Sequence, residues 1–162
     1  MLDLGDFGDG TEGSWANGVS RAGVVGWADN SKHESRAFLY NGGLHDLGTL
    51  GGDYAQAQAI NDAGQIVGRA TDADGNTHAF LYQGGMAAIG PAESYAYGIN
   101  DLGHVVGLSG NSAFLYDGGL RSLGNLPGGS GSAAYGINNL DQVVGEANAG
   151  AGMFGYHAFL CR

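Results

Sequence analysis

Residues 44–82 read LHDLGTLGGDYAQAQAINDAGQIVGRATDADGNTHAFLY, from Leu44 to Tyr82. Four segments in this stretch, Leu44 to Gly52, Tyr54 to Asn61, Gln65 to Ala70 and His78 to Tyr82, carry Val, Ile, Leu, Phe or Tyr at strand-like spacing between clusters of Gly, Asn and Asp. Four short strands follow from that pattern. The unit also recurs, because AFLY at Ala37, AFLY at Ala79, AFLY at Ala113 and AFLC at Ala158 stand 42, 34 and 45 residues apart. A period near 40 with several strands per period indicates a propeller or a solenoid. The approximate copies are residues 6–47, 48–89, 90–123 and 124–162 with 1–5, within one domain.

The turns are as regular as the strands. Ile60-Asn61-Asp62-Ala63-Gly64-Gln65, Ile99-Asn100-Asp101-Leu102-Gly103-His104 and Ile137-Asn138-Asn139-Leu140-Asp141-Gln142 link the first two strands of three copies, while the first copy has the shorter Val19-Ser20-Arg21-Ala22-Gly23. Asn and Asp bond their own backbone and tolerate positive φ, so these are turn signals first. Gly42-Gly43, Gly84-Gly85 and Gly118-Gly119 fit tight reversals between the third and fourth strands.

The chain opens on Leu2-Asp3-Leu4-Gly5, the close of a unit, and its last strand His157 to Cys161 lacks that close. A circular array lets the first segment complete the last blade and removes exposed edges, whereas a solenoid needs polar caps that are not evident. The expected architecture is all-β: a four-bladed β-propeller of four-stranded blades, its N-terminal strand completing the last.

Composition excludes more than it assigns. Six Lys plus Arg against sixteen Asp plus Glu give a formal charge of −10, the wrong sign for wrapping nucleic acid or an anionic membrane. No apolar run approaches the roughly 20 residues that cross a bilayer as a helix. The single cysteine, Cys161, allows no internal disulfide and occupies a slot expected to be buried. No basic-then-apolar leader precedes Leu2, which leaves a protein that stays in the cell or one whose leader lies outside this chain.

The segments His78-Ala79-Phe80-Leu81-Tyr82, Asp46-Leu47-Gly48-Thr49-Leu50-Gly51-Gly52, Gly98-Ile99-Asn100 and Val105-Val106-Gly107, with their counterparts, resemble the bacterial HAF repeat family over nearly the whole chain. Two copies depart from it, with Arg36 and Ser112 in place of the leading histidine. The resemblance implies an extracellular or periplasmic β-repeat protein and carries no catalytic motif across.

Several residues bear chemistry. Trp15, Tyr54, Tyr95, Tyr97 and Tyr135 cluster before the asparagine turns. With Asn61, Asn100 and Asn138 they suit a rim that stacks on sugar rings or small planar ligands; blade packing is the plainer explanation. Phe38, Phe80, Phe114 and Phe159 occupy one strictly repeated slot and read as core. Asp72, Asp74 and Asn76 have the i, i+2, i+4 oxygen spacing of a Ca²⁺ loop without its distal glutamate, and a polar hairpin gives the same letters. The acidic stretch Asp6 to Glu12 invites the same two readings. His33, His45, His78, His104 and His157 show no zinc spacing, and His78 reads as a strand-start residue bonded to backbone. His104, Glu93, Asp101 and Glu146, together with Glu12, are acid-base candidates by type only.

No phosphate loop, nucleophile elbow or dinucleotide fingerprint is evident, so no organic cofactor is expected. The leading expectation is a non-catalytic module binding a glycan or small molecule. The alternatives are a cofactor-independent lyase, isomerase or cyclase with a His/Tyr/carboxylate pocket, and a protein-interaction scaffold marked by an exposed apolar seam.

Overall fold

The computed structural model describes residues 1–162 except 9, 11, 12 and 151–154. Glu12, and with it part of the acidic stretch after Asp6, lies outside the described residues. The remainder is all β: four antiparallel sheets, each a meander in sequence order, form the four blades of a β-propeller. Blade 1 comprises β1 (Ser14–Ser20), β2 (Gly23–Asp29), β3 (Ser35–Tyr40) and β4 (Leu44–Asp46). Blade 2 comprises β5 (Gly51–Ile60), β6 (Ile66–Asp72), β7 (Thr77–Tyr82) and β8 (Met86–Ala88). Blade 3 comprises β9 (Ser94–Ile99), β10 (Val105–Ser109), β11 (Ser112–Tyr116) and β12 (Leu120–Gly124). Blade 4 has β13 (Ser132–Ile137), β14 (Val143–Asn148) and β15 (Tyr156–Cys161).

The glycine of each Val-Val-Gly segment decides how a blade is built. A Cβ on Gly26, Gly68, Gly107 or Gly145 would sit 1.9–2.0 Å from the carbonyl oxygen of Trp15, Gln56, Tyr95 or Ala133 on the preceding strand. Backbone meets backbone there, so no side-chain rotation relieves the clash. Two residues further along the first strand, the ladder slips by one residue in every blade, making Asn17, Gln58, Tyr97 and Tyr135 the inserted residues of a β-bulge. The close approach and the bulge thus recur together, and the bulge re-aims one side chain per blade.

Packing runs from each blade to the next. Val25 and Ala37 meet Ala57, Ile66 and Phe80; Val67 and Ala79 meet Ala96, Val105 and Phe114; Val106, Ala113 and Leu115 meet Ala134, Val143 and the half-buried Phe159. Phe38, Phe80 and Phe114 are fully buried as expected, each worth about 1.5–3 kcal/mol of apolar burial. Small alanines opposite bulky Phe and Val let neighbouring sheets interlock at close range.

The expected completion of the last blade does not form. Among the described residues, blade 4 has three strands, and residues 1–6 belong to no strand. Met1, Leu2, Asp3 and Leu4 instead border a groove with Ser14, Ala16 and Phe38 of blade 1. The reason lies in the packing, which extends strongly from the first blade to the fourth but not from the fourth back to the first. Cys161, expected to be buried, is therefore only half-buried at that open end.

Candidate functional site

The inner strands β1, β5, β9 and β13 have two chemically different ends. At one end lie the asparagine turns. Asn61 and Asn100 are buried, and every polar atom of their amides is occupied. Asn61 Oδ1 accepts from the N–H groups of Ala63 and Gln65, while its Nδ2 donates to Gln65 Oε1 and to the Asn100 carbonyl at 2.9 Å. Asn100 repeats this with Leu102, His104, Asp141 and, at 3.0 Å, the Asn138 carbonyl. The result is a ladder from blade to blade, begun by Ser20, whose Oγ donates to the Asn61 carbonyl. Gly64 and Gly103 take φ of 80° and 83° in these turns, and Asp141 holds the same place at 57°. Asn61 and Asn100 therefore build the fold with no atom left for a ligand, while Asn138, at the exposed end, donates only to Gln142.

Trp15, Tyr54 and Tyr95 lie toward the other end of the same strands, Tyr95 five residues and roughly 16 Å from Asn100, while Tyr97 and Tyr135 sit in mid-strand, three residues from their asparagines. Here aromatic side chains make one contact within blade 1 and contacts between blades 2 and 3 and between blades 3 and 4. Trp15 stacks on its cross-strand neighbour Trp27 with centroids 3.9 Å apart. In blade 2, the Arg69 guanidinium lies over Tyr54 at 5.5 Å and over Tyr95 of blade 3 at 5.6 Å. Its Nη2 donates to Gln56 Oε1 at 2.9 Å, and its buried Nε has no acceptor among the described residues. Tyr97 and Tyr135, both on bulges, are 5.4 Å apart and tilted.

These tyrosines are donors, not bases. Burial raises the phenols of Tyr54, Tyr95 and Tyr97 above their ordinary value, and the Arg69 charge only partly offsets it. Tyr135 donates to Glu146 at 2.7 Å, which holds its hydroxyl at about 12. Tyr95 donates to Glu93 at 3.1 Å. Two of the acid-base candidates, Glu93 and Glu146, thus serve as acceptors for tyrosines, while Asp101 accepts from the Asp62 N–H and the Asn139 amide. His104 pairs with Asp141 at 2.7 Å in the turn region. The four candidates are divided between the two strand ends and do not converge on one pocket.

The Asp72 loop is closed by its own backbone. Asp72 Oδ1 accepts from the N–H groups of Asp74 and Asn76, and Oδ2 lies 2.9 Å from His78 Nε2, so its carboxyl is held down to about 2, chiefly by His78. Asn76 turns its amide nitrogen, not its oxygen, toward Asp72. Among the described residues no group of three His, Cys, Asp or Glu side chains is placed to hold a metal ion. His78 Nδ1 reaches the Gly90 carbonyl at 3.0 Å, the backbone role its sequence position suggested.

Three participants in these aromatic contacts escaped sequence reasoning: Trp27, Arg69 and the pairing role of Glu146. All follow Val-Val-Gly or Ile-Val-Gly directly, in a slot that holds Trp27, Arg69, Leu108 and Glu146 in the four copies. A position that changes wholly while its neighbours repeat was the available signal. The chain matches no family model, no curated protein and no solved structure, so its likeness to HAF repeats rests on the motifs themselves.

Proposed function

We propose that the protein is a non-catalytic binding module for a glycan or small molecule that carries an acidic group, with Arg69 at the centre of its site. The observation that carries this reading is the cation held between Tyr54 and Tyr95 with an unpaired Nε. An orphaned buried donor costs about 1–3 kcal/mol, and a small shift of the Arg69 side chain that brings Nε to a ligand's acceptor offsets that cost. A guanidinium fork matches a carboxylate, and the flanking tyrosine faces and the Trp15–Trp27 stack suit the C–H faces of sugar rings. In a chain of charge −10, the guanidinium between Tyr54 and Tyr95 supplies local attraction for an anionic group.

Titration calorimetry with uronic-acid oligosaccharides and their neutral counterparts tests this. Binding of the acidic series alone, lost in Arg69→Gln and weakened in Tyr97→Ala, is the expected result. Equal affinity for both series, or for wild type and Arg69→Gln, overturns the assignment.

One observation favours the lyase, isomerase or cyclase reading. His104 Nδ1 lies 2.7 Å from Asp141 Oδ1, and among the described residues Nε2 makes no hydrogen bond, an arrangement in which a carboxylate orients an imidazole toward a substrate. Turnover of any acidic sugar that disappears in His104→Gln would move the function to that end of the strands.

A further inference from the structure

We infer that the exposed face of blade 4 docks against the exposed face of blade 1 of a second copy, head to tail, continuing the packing that joins consecutive blades.

Equivalent residues make the argument. Val25, Val67 and Val106 each face the next blade and are 0% exposed, whereas Val144, at the same position in blade 4, is 50% exposed. Leu115 is buried, yet its counterpart Leu160 is 51% exposed. On the receiving side, Ala57, Ala96 and Ala134 are buried while Ala16 is open, and Ile60 is 7% exposed against 76% for Val19. One half of the repeated interface therefore stands uncovered at each end. Among the described residues the chain's own two faces do not pack against each other as consecutive blades do, so the step that seats each blade on the next does not bring the fourth fully back to the first.

The hydrogen bonds are interrupted at the same places. Ser94 and Ser132 accept the N–H of Ala79 and Ala113 on the preceding blade at 2.9 and 2.8 Å; Ser14, in that position, is exposed, and Ala158 is the matching residue of β15. Among the described residues the asparagine ladder stops at Asn138, whose Nδ2 donates to Gln142 and retains one N–H for the carbonyl in the Ser20 position. The N-terminal segment is also in place to receive β15. Gly5 N–H bonds Asp3 Oδ1 as Gly48 N–H bonds Asp46 Oδ1, and the Phe7–Asn30 bridge matches the Leu50–Asp72 bridge. Phe7 thus reaches blade 1 as Leu50 reaches blade 2, which leaves residues 1–3 where β4 stands relative to blade 2. Transferring the β3–β4 register pairs the partner's Phe159 with Asp3, Leu160 with Leu2, and Cys161 with Met1. A head-to-tail contact with two complementary faces closes when two copies each use both, giving a pair with two identical seams.

Sedimentation of the full chain tests this, with a mass twice that of the monomer expected. Val144→Asp and Val19→Asp should each yield monomers, and mixing the two at high concentration should recover a pair held by one intact seam, because each variant retains the face that the other lost. That recovery also shows that both variants are folded. In a Cys161→Ser background, Leu2→Cys with Leu160→Cys should oxidise to a covalent dimer. An oxidised monomer would place the seam within one chain, and a reduced monomer, or variants that fail to recover on mixing, would likewise overturn the inference.

Discussion

The two ends of the inner strands follow opposite rules. At the turn end, Asn61 and Asn100 repeat one set of bonds and are buried; at the aromatic end, the residues opposite one another are Trp15 and Trp27, Gln56 and Arg69, Tyr95 and Leu108, and Ala133 and Glu146. A buried amide has only a few ways to be satisfied, which favours uniformity. The aromatic end mixes exposed, half-buried and buried positions, and only a buried polar group there is so restricted. The contrast separates the part of each copy that makes the fold from the part free to carry specificity.

The strongest way to break that contrast is at its shared base. Gly68→Ala drives a Cβ into the Gln56 carbonyl, and denaturant titration should show a loss of about 4 kcal/mol or more. Asn100→Ala removes a buried rung and orphans the groups it served, for an expected loss of about 3 kcal/mol; Asn138→Ala, at the exposed end, should cost about 1 kcal/mol. At the aromatic end the outcomes reverse. Arg69→Gln should alter stability by less than about 1 kcal/mol while reducing affinity for an acidic ligand at least tenfold, or about 1.4 kcal/mol.

A pH titration sharpens the comparison further. The Gly90 carbonyl and then Asp72 raise His78 above its ordinary 6.5, so its contribution is fully present below that value and is lost as pH rises through the raised one. The denaturation midpoint should therefore fall as pH rises above the ordinary 6.5 and through the raised value, and His78→Asn should remove that part of the slope. The smallest effect is expected from Tyr135→Phe, which deletes an exposed bond to Glu146 and should stay within about 0.5 kcal/mol by the same titration.

The sequence carried the blades because their signals are local. Alternation, Asn-rich turns, paired glycines and the repeated Phe slot each act over a few residues, and β1 to β15 appear where those signals lie. Closure was a different problem. The matching segments at Leu2 and Ala158 showed what would pair, but the rotation from blade to blade, which decides whether they meet, is set by packing along three junctions. The site divided in the same way. The tyrosines were visible as aromatics ahead of the turns, yet grouping them with Asn61 and Asn100 overlooked the length of the strand between them. Arg69 stayed hidden because its partners, Tyr54 and Tyr95, belong to two blades and converge only once those blades pack.

The open seam also bears on how the domain comes apart. Where each unit touches only its sequence neighbours, stability is close to a sum of nearest-neighbour terms, and units bounded on one side are the first to open. Amide exchange should accordingly be slowest in β6 and β10, which have neighbours on both sides, and fastest in β1 and β15. A partner across the seam would abolish both weak ends at once, turning a chain that frays into one that exchanges uniformly.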